Sequence, residues 1–291
     1  MTIARLVSNL TNHTEDIKTM LLTKKNVQGF LIILALAISG VVGLSMRHPE
    51  PVVAQPLAQT AIAKPSIVLV HGTFADATSW QHVIPLLECD GYTVTAVQNA
   101  LTSLPDDVAT TKRVIDAQKG TVVVVGHSYG GSVITGAAAS NPQVKALVYI
   151  AAYAPEAGEK ISALNAKYAA SPIGSALVPD TAGFLYINRE KFHDVFAKDV
   201  STVEARVMAA TQKPVNSVAF DQAVNNVAWK TIPSWYLVSQ EDQVINPELE
   251  RFMAKRIGAK TTEIKASHVS FISHPNEVVK LIEAAATAPV K

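Results

Sequence analysis

The sequence contains a single cysteine, and this scarcity excludes two kinds of site. With Cys89 alone, the chain can form no intramolecular disulfide and no metal site built from clustered thiolates. We predict that Cys89 is a buried apolar residue, which is a common state of a lone cysteine. No motif in the chain implies a cofactor or a bound metal ion.

Charge is also scarce. Charged residues make up 17% of the chain, and the net charge is +1. A nucleic-acid-binding surface needs an excess of basic residues, so the sequence favours no nucleic-acid partner. Hydrophobic residues make up 48% of the 291 residues, which is enough for the core of one large α/β domain or two small ones.

The first 64 residues differ from the rest. Residues 30–46 carry no charge and follow Lys24 and Lys25, which is typical of an export signal or an N-terminal membrane anchor. The Pro-rich residues 48–64 predict a linker. We therefore predict an exported protein. It is either released into the periplasm or the medium or anchored to the inner membrane by residues 30–46, and both cleavage and the start methionine stay open.

The stretch 122–134 organises the rest of the chain. Four consecutive valines predict a strand buried on both faces, a Gly-His-Ser-Tyr-Gly turn follows at 126–130, and a helical pattern comes next. Strand, Gly-x-Ser-x-Gly and helix are typical of a nucleophile elbow. Gly126 and Gly130 supply the two positions that need almost no side chain. We predict that Ser128 is a catalytic nucleophile, the alternative being a Gly-rich connection with a chance serine.

Strands and helices alternate from residue 65 to the C-terminus, so we predict an α/β domain over 65–291. The alternation predicts a mostly parallel central sheet with helices on both faces. In such sheets the active site lies at the carboxyl ends of the strands. Between about 155 and 230 only helical segments and no strong strand are predicted, which indicates a helical lid inserted over the sheet.

A serine hydroxyl needs a base within hydrogen-bonding reach, and the base needs an acid that orients it. The chain order Ser128, Asp242, His268, with the acid and the histidine after late strands, is the order expected of such a triad. Glu241 is a second candidate acid. Because adjacent residues point in different directions, only one of the two can face the histidine. We favour Asp242 and expect Glu241 to point to solvent.

The oxyanion that forms during acyl transfer needs two backbone donors. The N–H of Tyr129, at the start of the elbow helix, is one candidate. The N–H of Thr73, in the loop after the first strand, is the other. Phe74, Trp80 and His127 are candidate residues of the substrate pocket.

With these motifs, the chain from about residue 64 to 283 resembles the α/β-hydrolase superfamily. It is most similar to the serine esterase-like branch related to plant methyl-ester esterases and hydroxynitrile lyases. The matching segments are residues 69–74 with Trp80, 126–131, 236–242 and 266–268. The resemblance implies an α/β-hydrolase fold and aligns Asp242 with the family acid. It also implies a serine carboxylesterase that needs no cofactor.

Two positions depart from the hydroxynitrile lyases. Those enzymes carry a threonine where this chain has Gly72, and a lysine where it has Val269. That lysine stabilises the departing cyanide, so its absence favours hydrolysis, and we predict that small, mostly apolar esters are cleaved. The alternatives are C–C bond or lactone hydrolysis, or cofactor-free perhydrolysis, by the same triad. A ligand-binding protein on a hydrolase scaffold is a further alternative.

Overall fold

A computed structural model describes residues 63–289. The predicted export segment at 30–46 and nearly all of the predicted linker at 48–64 lie outside these residues, and both stay predictions. None of the helices within residues 63–289 combines the length and hydropathy needed to cross a lipid bilayer.

The described residues form a six-stranded sheet and a small three-stranded sheet. The strands are β1 (Ser66–Val70), β2 (Val94–Val97), β3 (Val122–His127), β4 (Val144–Ile150), β5 (Leu177–Pro179), β6 (Phe184–Ile187), β7 (Val215–Asn216), β8 (Ser234–Ser239) and β9 (Lys260–Ile264). The large sheet has the order β2-β1-β3-β4-β8-β9, and all its neighbours are parallel. The predicted parallel sheet is therefore confirmed.

Burial within the large sheet follows the residue types. Every residue of β1, β3 and β8 is buried, because these strands carry nearly continuous apolar side chains and helices cover both faces. The edge strand β9 is mainly exposed and carries lysine, threonine and glutamate, which protect an edge from pairing with another chain.

Residues 63–289 contain nine α-helices. They are α1 (Ile84–Cys89), α2 (Leu104–Asp116), α3 (Tyr129–Ala137), α4 (Ile161–Asn165), α5 (Phe192–Phe196), α6 (Thr202–Thr211), α7 (Pro247–Arg256), α8 (Ser270–Ser273) and α9 (Pro275–Thr287). Ser103 caps α2 by accepting a hydrogen bond from the Asp106 N–H at 3.2 Å.

The segment after β1 forms a 3-10 helix over Ala77–His82, which Asp76 caps and which precedes α1. One local feature of this region differs from the sequence analysis. The prediction that Cys89 is buried is wrong, because Cys89 is exposed at the end of α1. The short helix buries only the face that carries Leu87, and two residues further along the chain a side chain points to the opposite face.

The insertion between β4 and β8 covers the range predicted for the lid. It contains α4, α5 and α6, but it also contains the antiparallel sheet β5-β6-β7, which the sequence analysis did not predict. These strands are only two to four residues long, too short to show a clear alternation of apolar and polar residues.

Parallel pairing brings the functional loops to one edge of the large sheet. Val70, the last residue of β1, pairs with Gly126 of β3, and His127 pairs with Ile150 of β4. The loop after β1, the turn after β3 and the loops after β8 and β9 therefore leave from the same edge. These four segments carry all the predicted catalytic and oxyanion residues.

Candidate active site

The turn after β3 holds Ser128 in a strained backbone conformation. Ser128 has a φ of 53°, which is uncommon for a residue with a side chain, and only 2% of its surface is exposed. A Cβ atom at Gly126 would lie 2.6 Å from the Gly130 carbonyl oxygen, and one at Gly130 would lie 2.6 Å from the Val70 carbonyl oxygen. Any larger residue at either glycine would therefore open the turn.

Helix α3 begins directly after Ser128. Its first residue, Tyr129, has no partner for its N–H inside the helix, and the helix dipole places partial positive charge there. The Tyr129 hydroxyl donates a hydrogen bond to buried Asp107 at 3.0 Å, which fixes the side chain below the turn. Burial raises the pKa of the Asp107 carboxyl.

The loop after β1 lies beside this turn. Phe74 has a φ of 61°, and its N–H donates to the carbonyl oxygen of the lid residue Lys213 at 3.1 Å. Within residues 63–289, no backbone carbonyl accepts from the Thr73 N–H. Thr73 and Tyr129 line one cavity with Ser128, so their N–H groups are the candidate oxyanion donors there.

The structure brings Asp242, not Glu241, to His268. Nδ1 of His268 lies 2.6 Å from Oδ2 of Asp242, and both residues are buried, whereas Glu241 is exposed. Oδ1 of Asp242 accepts from the N–H groups of Val244 at 2.6 Å and Ile245 at 3.0 Å. The carboxylate is thus held by several donors and can orient the imidazole.

His268 is arranged to accept a proton at its other ring nitrogen. With Nδ1 donating to Asp242, the neutral ring carries its lone pair on Nε2. Nε2 is buried and has no hydrogen-bond partner among the described residues. The Phe196 ring of the lid lies 5.2 Å from the His268 ring and 6.2 Å from the Phe74 ring. The Phe196 ring thus lies near both the candidate base and Phe74, which is in the loop that borders the Ser128 cavity.

His127 connects the elbow to the histidine loop. Its Nε2 donates to the His268 carbonyl oxygen at 3.0 Å, and the two rings lie 4.6 Å apart. Burial lowers the pKa of His127 well below its ordinary value, and the charge of His268 acts in the same direction. A neutral His127, the residue directly before Ser128, therefore bonds the loop of His268 to the elbow turn.

A cavity of about 250 Å³ opens above Ser128. Its lining residues are Thr73, Phe74, Ser128, Tyr129, Tyr153, Ser162, Asn165, Ile173, Leu177, Leu185, Phe220 and Val244. Of the three predicted pocket residues, only Phe74 lines it. His127 has no exposed surface, and Trp80 is buried against the Phe271 ring at 4.4 Å, so both lie behind the site.

Several residues that shape the site carried no signal in the sequence. Lys213 holds the loop of Thr73, and Asp199 of the lid accepts from the Ser267 N–H at 2.9 Å, next to His268. Asp107 and Glu250 are carboxyl groups without exposed surface beside Tyr129 and Asp242. Within residues 63–289, no group of three or more His, Cys, Asp or Glu residues is arranged to hold a metal ion.

Comparison with known proteins decides the family. The sequence profile of the alpha/beta hydrolase family matches residues 67–281. The chain belongs to the alpha/beta hydrolase family. The predicted fold and the predicted hydrolase activity are thereby confirmed.

Two curated relatives of this hydrolase are plant esterases, as the resemblance predicts. Methylesterase 8 of Arabidopsis thaliana is 25% identical over 213 residues, which cover 65% of this chain and 77% of the relative. Polyneuridine aldehyde esterase of Rauvolfia serpentina is 24% identical over 255 residues, which cover 77% of this chain and 97% of the relative.

Among solved structures, the hydrolase is similar to a pyrethroid hydrolase from Sphingobium faniae. The TM-score is 0.66 at 22% identity, and the match covers 77% of this chain and 98% of the other. At this identity the likeness establishes the fold only.

Proposed function

We propose that this hydrolase is a carboxylesterase that cleaves small neutral esters through an acyl-enzyme formed on Ser128. One observation carries the proposal. A strained, buried serine lies in one cavity with two candidate oxyanion donors, and the turn that holds it is bonded to the loop of a histidine whose Nδ1 contacts a buried aspartate.

The geometry supports a two-step reaction. Ser128 Oγ attacks the ester carbonyl carbon while its proton passes to Nε2 of His268. The bond to the alcohol oxygen then breaks, and the alcohol leaves with that proton. In the second step a water molecule gives a proton to His268 and attacks the acyl group. The carboxylic acid leaves, and the proton returns to Ser128.

Charge develops at two points of this reaction. Asp242 stabilises the imidazolium form of His268, because its carboxylate contacts Nδ1 directly. The N–H groups of Thr73 and Tyr129 stabilise the oxyanion. Removing one donor of this kind typically lowers turnover by about 10²- to 10³-fold.

The cavity supports a small, neutral substrate. Its volume of about 250 Å³ is below the usual range of ligand pockets, about 300–1,000 Å³, and aliphatic and aromatic side chains form much of its wall. No lysine or arginine is among its lining residues, so a carboxylate on the substrate would have no cationic partner there. The buried Val269, directly after His268, supplies no cation for a departing cyanide, which favours hydrolysis over cyanide elimination.

The names of the similar proteins agree with this class of reaction. They are a methylesterase, a polyneuridine aldehyde esterase and a pyrethroid hydrolase. Their identity to this chain is too low to transfer a substrate, so the choice among esters rests on the cavity.

The test is a panel of p-nitrophenyl esters of increasing acyl length. We expect a burst of p-nitrophenol, fastest with the short acyl groups, and a mass increase of one acyl group on the peptide that contains Ser128. Ser128→Ala should abolish both signals. Ser132→Ala makes the same chemical change in the next turn of α3 and should keep them. Ester turnover that persists in Ser128→Ala, or a wild-type protein that cleaves no ester, would contradict the proposal.

A further inference from the structure

Behind Asp242 lies a second carboxyl group that the proposed reaction does not use. Glu250 belongs to α7, whose N-cap residue Asn246 ends the Asp242 loop. Glu250 has no exposed surface, although Glu248 and Arg251 of the same helix are at the surface. A glutamate without exposed surface is rare because burial of its charge is costly.

The contacts of Glu250 lead to the end of β8 and to Asp242. Oε2 accepts a hydrogen bond from the Ser239 N–H at 3.1 Å. The Asp242 N–H donates to the Ser239 carbonyl oxygen at 3.2 Å, so Glu250 and Asp242 are bonded to the same residue. The two carboxyl groups therefore lie side by side at the end of β8, and the charge of Asp242 acts directly on Glu250. Oε1 is buried and has no hydrogen-bond donor among the described residues. Two carboxylates cannot bond each other, so a contact between them requires a proton on one of the two.

The surrounding donors decide which of the two carries the proton. Asp242 accepts from His268 on Oδ2 and from two backbone N–H groups on Oδ1, so a donor already faces each of its oxygens. Glu250 accepts from one N–H group only. Burial, followed by the charge of Asp242, raises the pKa of Glu250 well above its ordinary value.

The other titratable groups around Glu250 do not neutralise a charge on it. Arg251 acts on it from the same helix, but its guanidinium bonds Glu263 at 2.8 Å and Glu248 at 2.6 Å on the surface. Tyr153 and Tyr236 approach from the β4 and β8 side, and each remains a neutral phenol because burial raises its pKa. No lysine, arginine or histidine within residues 63–289 forms an ion pair with Glu250.

We propose that Glu250 is a positioning residue whose neutral carboxyl donates a hydrogen bond to Asp242 and holds that carboxylate against His268. The proton lies on Oε1, while Oε2 accepts from Ser239, so both carboxyl oxygens have a partner. Asp242 then accepts four hydrogen bonds, which fill the sites of a carboxylate. The inference rests on the proposed function, since it assigns Glu250 a part in the same serine-histidine-aspartate system.

Two uncharged variants test the hydrogen bond, since one can keep it and the other cannot. In Glu250→Gln, the amide nitrogen can donate to Asp242 and the amide oxygen can accept from Ser239, so we expect kcat to stay within about threefold of wild type. Glu250→Leu keeps a similar volume without either bond. Its kcat should fall by about 10- to 100-fold, the usual effect of losing a hydrogen bond to a charged group, with little change in KM.

The pH profile adds a readout that loss of packing alone would not change. A hydrogen bond from residue 250 withdraws negative charge from the Asp242 carboxylate. Without that bond, the carboxylate stabilises the protonated imidazole more strongly. The acidic limb of the kcat profile should therefore move to higher pH in Glu250→Leu but not in Glu250→Gln. A Glu250→Gln variant as impaired as Glu250→Leu, or a fully active Glu250→Leu, would overturn the proposal. If Glu250→Leu does not fold, a loss of more than about tenfold in Glu250→Gln alone overturns it.

A measurement independent of activity completes the test. The full-length protein, labelled with ¹³C at the glutamate side-chain carboxyl, should show one protonated carboxyl resonance at neutral pH that is missing from Glu250→Gln. Ionised glutamates only would overturn the inference. If the wild type cleaves no ester, the proposed function fails, and this resonance still decides the protonation state of Glu250.

Discussion

His71, at the start of the loop that carries Thr73, is the basis for predicting a specific loss of stability in acid. His71 has no exposed surface, and both of its ring nitrogens are used. Nδ1 donates to the Gly72 carbonyl oxygen at 2.8 Å, and Nε2 accepts from the Asn99 N–H at 3.1 Å. A proton added to Nε2 would face that N–H and break the bond. The fold therefore requires the neutral ring.

The magnitude follows from the shift in pKa. Burial, with a smaller contribution from the charge of Lys213, lowers the pKa of His71 from 6.5 to about 4. The unfolded chain thus binds a proton between pH 6.5 and about 4 that the folded chain does not bind, so stability falls as the pH falls through this range. A shift of this size corresponds to about 3 kcal/mol in the free energy of unfolding, since one unit is worth about 1.4 kcal/mol.

Urea unfolding at a series of pH values measures this loss. In His71→Gln, the amide can donate to the Gly72 carbonyl and accept from the Asn99 N–H, but it cannot titrate. We expect this variant to lose about 3 kcal/mol less than wild type on acidification through the same range. Equal slopes for His71→Gln and wild type would refute the reasoning.

Two further predictions concern the carboxylates around His268. Asp242→Asn should lower turnover by up to ~10⁴-fold, because the amide favours the wrong tautomer of the histidine, whereas exposed Glu241→Gln should change it by less than about threefold. The opposite order would exclude Asp242 as the orienting acid. Asp199→Asn should lower the free energy of unfolding by about 1–3 kcal/mol, because Asp199 bonds the Ser267 N–H and two serine hydroxyls between the lid and the histidine loop. Asp194→Asn, whose side chain is 81% exposed, is the matched control, and urea unfolding measures both.

Features written in local residue patterns could be predicted. The apolar runs of β1 and β3 predict central strands. Both faces of a central strand are covered, so its apolar run is not interrupted by polar residues. The elbow could be predicted because Gly126 and Gly130 are required by close backbone contacts within and beside the turn. The choice of Asp242 over Glu241 also agrees with the geometry, since a tight turn points neighbouring side chains in different directions.

Features set by packing could not be predicted. An apolar or aromatic residue near a motif can lie in the cavity or behind it, and the pattern does not tell these apart. Phe74 lines the cavity, whereas Trp80 packs on Phe271, which is distant in sequence. Cys89 is exposed because α1 is short and buries a single face. The lid strands β5 and β7 are held by pairing with β6, and their own two or three residues carry no clear signal.

Burial gives identical residue types different chemical roles at this site. Glu241 is exposed beside Asp242, whereas Glu250, one helix further along the chain, is fully buried behind it. Burial also favours neutral forms of His71, His127 and Glu250. The carboxylate of Asp242, by contrast, accepts several hydrogen bonds and faces the ring of the proposed base. Neutral neighbours neither repel nor attract the positive charge of an imidazolium strongly. In the proposed reaction, the imidazolium form of His268 would therefore be stabilised chiefly by this one carboxylate. The strength of that stabilisation therefore depends on buried groups that never contact the substrate.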